Sequence, residues 1–340
     1  MVIADLYLPR GTKTEAPELA ATFAPLPGFE AAGRCGERAS LTQGWRAWLA
    51  RHVGRADLSS LAPACVAGAA HPMGTRGAGA SWIATPVHFG AGLTRVYLDH
   101  RGLLRLPPEE LAALAEDFRR SFPEPDFSLL PLASGDFLLR TAGIAPVPTT
   151  EPARCAGGDV GQCLPQGAAA APLRRLLAEI EMWLHAQALN EARRQRGELP
   201  VSALWLWGAE GERAQPQRRA VADLGAAFGE DAWLAGLWHL QESAVQGLPQ
   251  RLEDVLGAGA ARRTVLVAKA AGELQGTHGD SLAQALGRLD ERFVSPALRA
   301  LRRGELARVT LIINDARATL GRGSRLRFWR RGRAGLGAFA

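Results

Sequence analysis

Asn190 and Arg193 stand three residues apart in the run Asn190-x-x-Arg193-x-x-x-Gly197-x-x-Pro200, a spacing that puts an amide and a guanidinium on one face of a helix. Such a pair can hold a ligand phosphate, which makes both candidate substrate-binding residues. It can also tie the helix to the turn at Pro200, and bracing is the preferred reading. A second anion signal is the loop Gly74-Thr75-Arg76-Gly77-Ala78-Gly79, whose backbone N–H groups can cradle a phosphate, although glycine-rich loops this loose are common. A third is the crowd of arginines at Arg322, Arg325, Arg327, Arg330, Arg331 and Arg333. Guanidinium groups grip phosphates through paired hydrogen bonds; a solvated end strand with a frayed terminus is the plain alternative.

The elements that must position these residues alternate. From Gly157 to Gly208 the chain reads as a loop, a long amphipathic helix and an apolar strand, an α/β crossover. The helix spans Leu173 to Arg196, with Leu176, Ile180 and Leu184 at helical spacing and Gly197 ending it by a left-handed cap. Val2 to Leu8, Ala203 to Trp207, Thr264 to Ala268 and Val309 to Ile313 read as strands buried on both faces. Asp280 or Ser281 caps a further helix, and Ser295-Pro296 starts another that ends at Gly304. Thr94 to Leu98 and Leu103 to Leu106 flank Asp99-His100-Arg101-Gly102 as a hairpin, and Pro107-Pro108-Glu109-Glu110 opens a helix.

The expected fold class is therefore α/β, a mostly parallel sheet with helices on both faces plus an antiparallel α+β region at about 80–150. One domain covers 1–320 and an arginine-rich strand and tail covers 321–340. Ala142 to Ala171 reads as a flexible linker. Trp45, Trp48, Trp205 and Trp207 belong to a core or a partner surface, and His88 and His100 read as partly buried, hydrogen-bonded histidines.

Composition sets limits on function. With 340 residues, 47% of them hydrophobic, the chain can bury a sizeable core, and no run approaches the roughly 18 apolar residues of a membrane span. The opening MVIADLYLPRG lacks the form of a signal peptide, so the expected location is the cytoplasm with no membrane partner. Cys35, Cys65, Cys155 and Cys163 form no C-x-x-C pair; that spacing excludes a zinc ribbon and predicts reduced thiols. Lysine occurs only at Lys13 and Lys269, so the net charge of +6 is carried by arginine.

The Asn190 to Pro200 spacing, followed by Trp205-Leu206-Trp207-Gly208, resembles the cofactor-independent phosphoglycerate mutases of the alkaline phosphatase superfamily, and within them the branch of RpfE-type regulatory proteins. Val2-Ile3-Ala4-Asp5-Leu6, Ser81 to His88, Tyr97-Leu98-Asp99-His100 and Gly279-Asp280 agree with it. The resemblance implies an alkaline-phosphatase-like sheet with two divalent metals at its strand ends and a serine or threonine nucleophile. It puts Asp5, His278 and Asp315 at metal-ligand positions, and with Asp280 they are candidate ligands of a single ion that suits magnesium or manganese, although a turn or helix-capping role is the preferred reading of Asp5 and Asp315.

Departures from the family pattern are as informative. Asp315 is followed by Ala316 where the family has histidine, Leu274 stands four before His278 where it has aspartate, and no histidine follows His278. Ser81, Thr75 and Thr85 all lack the family's serine context, so no catalytic nucleophile is assigned. The leading expectation is a mutase-like regulatory or ligand-sensing protein, a pseudoenzyme with a degenerate metal centre and no cofactor. It would bind a phosphorylated small molecule or a protein partner. One alternative is an active phosphotransferase or phosphatase with manganese or magnesium acting on a small phosphorylated metabolite. Another is a nucleic-acid-associated protein using the arginine tail.

Overall fold

The computed structural model describes residues 2–5, 26–72, 79–92, 95–124, 127–210, 216–256, 263–274, 280–313, 315–322 and 324, with only the backbone course for 2–5 and 210. The chain divides into two compact units, one of Met1–Ser59, Val221–Gly229 and Val245–Ala340, the other of Ser60–Ala220 and Glu230–Ala244. No helix among the described residues is long and apolar enough to cross a membrane.

The first unit holds a seven-stranded sheet built from β1 (Val2–Asp5), β2 (Glu37–Ser40), β9 (Ala226–Gly229), β10 (Val245–Gln246), β11 (Thr264–Lys269), β12 (Arg308–Ile313) and β13 (Ala316–Gly321). Its order is β10-β9-β11-β1-β12-β13-β2. The first five strands are parallel, and β13 and β2 add an antiparallel edge. Helices α1 (Pro27–Cys35), α2 (Gly44–His52), α8 (Glu253–Leu256), α9 (Leu282–Leu289) and α10 (Ser295–Arg303) belong to this unit. Phe29, Leu286, Phe293, Leu298, Leu311 and Ile313 form the middle of its apolar core.

Helix caps follow the sequence closely here. Ser281 and Gln284 form a reciprocal capping box at the start of α9, and α10 ends on Gly304 with φ +84°. Helix α1 has no capping side chain of its own. Asp290, in the π turn Asp290–Val294 between α9 and α10, accepts from the Gly28 and Phe29 amides at 3.0 and 3.2 Å. A carboxylate thus meets the positive end of α1 from 262 and 261 residues away in sequence.

The second unit is antiparallel. Strands β3 (Ala80–Ala91), β4 (Val96–Leu103), β5 (Ser128–Pro131), β6 (Phe137–Thr141), β7 (Gly158–Asp159) and β8 (Ala203–Glu210) form one sheet of order β5-β6-β3-β4-β7, with β8 on β3. Its helices are α3 (Pro63–Gly68), α4 (Pro108–Ser121), α5 (Ala171–His185), α6 (Ala188–Gln195) and α7 (Ala232–His239). The mostly parallel expectation therefore describes only one of two sheets. Its error lies in β8, which pairs antiparallel with β3 yet is buried throughout Ala203–Trp207. Leu204 and Leu206 enter one apolar cluster while Ala203, Trp205 and Trp207 enter another, so an antiparallel strand covered on both faces has the hydrophobicity of a parallel one.

Three local expectations change as well. The long helix is two helices, broken where Gln187 adopts extended backbone with ψ 129°. Asp117 holds both sides of that break, accepting from Trp183 Nε1 at 2.9 Å and Gln187 Nε2 at 2.8 Å. Gly197 does take positive φ, +75°. The strands do not turn at Asp99-His100-Arg101-Gly102: β3 meets β4 where Gly92 N–H donates to the Arg95 carbonyl, and β4 continues through that stretch. The register shifts there, Val87 pairing with Leu103 and Phe89 with Leu98, so the four polar and glycine residues of β4 bulge opposite His88 alone, and Asp99 caps the Arg101 amide at 2.8 Å.

Residues 142–171 are no flexible linker but an ordered segment fastened by a Cys155–Cys163 disulfide, which corrects the expectation of four reduced thiols. The segment carries β7 against β4, and Thr150 accepts from Trp205 Nε1 at 2.7 Å.

Candidate functional site

In sheets with parallel strands, ligands collect beyond the strands' carboxyl ends, where loops and helix starts converge. In the first unit that edge gathers Asp5, Lys269 and Asp315. Asp5 ends β1 in register with Lys269, the last residue of β11, and Ala4 is in register with Ile313, the last residue of β12. Asp315 follows in the turn to β13, its carbonyl accepting from Leu41 N–H at 2.6 Å. Ala316, the position the family gives to histidine, is already the first residue of β13, paired with Ser40. Asp5 is described by its backbone alone.

Lys269 was missed by sequence reasoning although a signal existed: it is one of two lysines in the chain and directly follows a buried apolar run. It is half-buried, and its register places a cationic residue type beside Asp5.

The loop after β11 carries a second group of charges. Glu273 sits in a 3₁₀ turn, Gly272–Leu274, and Asp280 precedes α9. Arg288 of α9 reaches Asp280 at 2.8 Å and Glu273 at 3.4 Å, and also donates to the Glu273 carbonyl. Arg292 takes the other oxygen of Glu273 and donates to the Pro249 and Gln250 carbonyls. His278 lies outside the described residues, as do the loop residues from Gly74 to Ala78, Thr75 among them, and the tail arginines beyond Arg322. Among the described residues, no three His, Cys, Asp or Glu side chains group as a metal site.

Asn190 and Arg193 belong to the second unit. Asn190 Nδ2 donates to the Leu184 and Val201 carbonyls at 2.8 and 2.9 Å, and its Oδ1 accepts from Val201 N–H at 2.7 Å. Arg193 donates from Nε to the Leu199 carbonyl at 2.8 Å and pairs with Glu110 and Glu198. Arg196 joins both carboxylates, and its hydrogen bond holds the Glu198 carboxyl below the usual range. The pair thus braces α6 against α4 and the 198–201 turn with its polar atoms engaged.

The remaining candidates are also occupied within the second unit. Thr85 donates to Asp136 at 2.7 Å and accepts from Trp207 Nε1 at 3.0 Å, and Ser81 lies buried in β3. His88 Nδ1 lies 2.9 Å from the Pro200 carbonyl and 3.1 Å from Ser202 Oγ. Burial pushes the His100 imidazole below its ordinary value, with Asp99 opposing.

No protein-family model matches the chain, and no curated protein matches it. Among solved structures, a cofactor-independent phosphoglycerate mutase from Thermoplasma acidophilum DSM 1728 aligns at TM-score 0.40 and 17% identity, over 95% of this chain and 90% of that one. PH0037 protein from Pyrococcus horikoshii aligns at TM-score 0.48 and 13% identity, over 99% and 91%. The resemblance to the mutase is a distant one.

Proposed function

We propose that the chain is a phosphoglycerate-mutase-like protein of the RpfE type with a degenerate metal centre, acting in the cytoplasm as a regulatory or ligand-sensing protein. The observation that carries this reading is the pairing of charge at the strand-end edge. Asp280 is held by Arg288, Glu273 by Arg292, and Lys269 stands in register with Asp5. A resident divalent ion needs deprotonated ligands free to surround it, and two-metal phosphoryl transfer needs two such sets. Residues already matched with arginine do not fit that demand, and Ala316 and Leu274 offer no donor in its place.

In this reading a small phosphorylated metabolite meets Lys269 at the edge, and its binding rather than its turnover is the output. Purified, folded protein is expected to carry no stoichiometric manganese, magnesium or zinc by elemental analysis, and to show no mutase activity with manganese or magnesium supplied. Turnover above background that disappears in both Asp5→Ala and His278→Ala would overturn the proposal.

A further inference from the structure

At the opposite end of the seven-stranded sheet lies a cavity of about 470 Å³, inside the range of roughly 300–1,000 Å³ typical of small-molecule pockets. The β12–β13 register sets its distance from the strand-end edge. Gly321, in its wall, pairs with Arg308 at the start of β12, while Asp315 follows that strand's end. The five steps of about 3.3 Å along the six-residue strand separate the two places by roughly 17 Å. The cavity is a different site and does not depend on the proposal above.

Its lining has two parts. Leu298 and Leu301 of α10, Leu320 of β13 and Cys35 of α1 give an apolar floor. Arg302, Arg303 and Arg322 stand at the rim. Arg322 is fixed there by donating to the Gly304 carbonyl at 2.7 Å, and Arg303 meets Glu305 at 3.5 Å. Arg302 forms no ion pair among the described residues, so Arg303 is the one guanidinium of the three that meets a carboxylate there.

Arginines in a helix's last turn are ordinarily explained by the helix dipole, whose negative end would also repel an anion. Two features weaken that objection. Two of the four terminal carbonyls of α10 are already taken, Leu301 by Gly304 N–H and Ala300 by Glu305 N–H. Charge-assisted bonds from two arginines exceed the residual dipole term, and the dipole gives no account of an open apolar cavity behind them.

We propose that this cavity binds an organic anion with an apolar body, a carboxylate or phosphate monoester on an aryl or alkyl group. Arg302 and Arg303 hold the head, and Leu298, Leu301 and Leu320 cover the body. Cys35 is a built-in reporter: Cys65 is fully buried and Cys155 and Cys163 are bonded to each other, leaving Cys35 as the half-exposed thiol in the cavity wall.

The test measures iodoacetamide alkylation of Cys35 in the full chain by peptide mass spectrometry. 1-Naphthyl phosphate or 1-naphthoate should slow it at least fivefold and saturably, while inorganic phosphate and 1-naphthol at equal concentration should not. Stronger protection by the ester assigns a phosphate head, and stronger protection by the acid a carboxylate. An Arg302→Gln/Arg303→Gln double variant, each rate compared with its own rate without ligand, should lose the protection. As a check that needs no variant, wild-type protein carboxamidomethylated at Cys35 should lose 1-naphthyl phosphate binding in a fluorescence titration.

Absence of protection by either anion, equal protection by 1-naphthol, or full protection in the double variant would each overturn the proposal. So would a chain ending at Ser324 whose Cys35 reacts fivefold faster than in the full chain, because the occupant would then be residues 325–340.

Discussion

Asn190→Asp tests what the Asn190 and Arg193 pair is for, because it keeps the side chain's shape and reverses one end of its chemistry. Asn190 is 2% exposed and makes three hydrogen bonds to backbone groups. In Asn190→Ala, Leu184 O keeps its bond from Gln187 N–H, and the Val201 N–H and C=O bear most of the loss. At about 1–3 kcal/mol for each buried group left unmade, with water filling part of the gap, the cost is about 2–4 kcal/mol. Asn190→Asp retains the bond from Val201 N–H but turns a carboxylate oxygen toward two carbonyls at 2.8 and 2.9 Å, and the nearby Arg193 is already committed to Glu110. At neutral pH it should therefore be the less stable of the two, by about another 1–2 kcal/mol.

Protonation would restore a donor, so the folded-state pKa of the new acid lies above its unfolded value, and stability falls as pH rises through that window. Urea denaturation at pH 5 and pH 7, followed by tryptophan fluorescence, should show Asn190→Asp closing on Asn190→Ala at the lower pH. Both variants within 0.5 kcal/mol of wild type, together with loss of binding to a phosphorylated metabolite, would refute bracing and return Asn190 to the substrate.

Two further outcomes follow from the same kind of accounting. Burial pushes the Asp290 carboxyl up, and the bonds from Gly28, Phe29 and Ser295 pull it back only in part, so its contribution to stability falls as pH rises above about 4; the penalty of Asp290→Asn in urea should accordingly be smaller at pH 7 than at pH 4. Denatured but unreduced protein should titrate two thiols, Cys35 and Cys65, and Cys155→Ser should cost about 2.5 kcal/mol from the loop the disulfide closes, measured as a lower urea midpoint for the second unit.

What the sequence made legible was local. The Ser281 cap, the Gly304 and Gly197 left-handed endings, the proline start of α4 and the runs that became β11 and β12 each depend on neighbours within a few residues, and each is where the pattern put it. Pairing partners are not encoded that way. Nothing within Ala203–Trp207 distinguishes a parallel partner from β3, and nothing near Pro27 says that its helix is capped from Asp290. The break at Gln187 was hidden for a similar reason, since apolar spacing continues across it and the residue that holds it, Asp117, is 70 positions away. Lys269 alone carried a usable signal, its rarity, which apolar periodicity does not weigh.

The two ends of the seven-stranded sheet differ in how their charges are settled. At the strand-end edge the chain supplies its own cations, with Arg288 on Asp280 and Arg292 on Glu273, so an ion arriving at either carboxylate must break a pair before making one. At the other end, of the three arginines lining the cavity, Arg303 alone meets a carboxylate among the described residues. Binding free energy comes from interactions that the empty protein has not already made, and an unpaired guanidinium at a cavity mouth has more of it to give than a paired one. The family pattern directs attention to the first edge. At the second, Arg302 makes no ion pair among the described residues, and on the proposal above that is where a ligand's anion gains most on arrival.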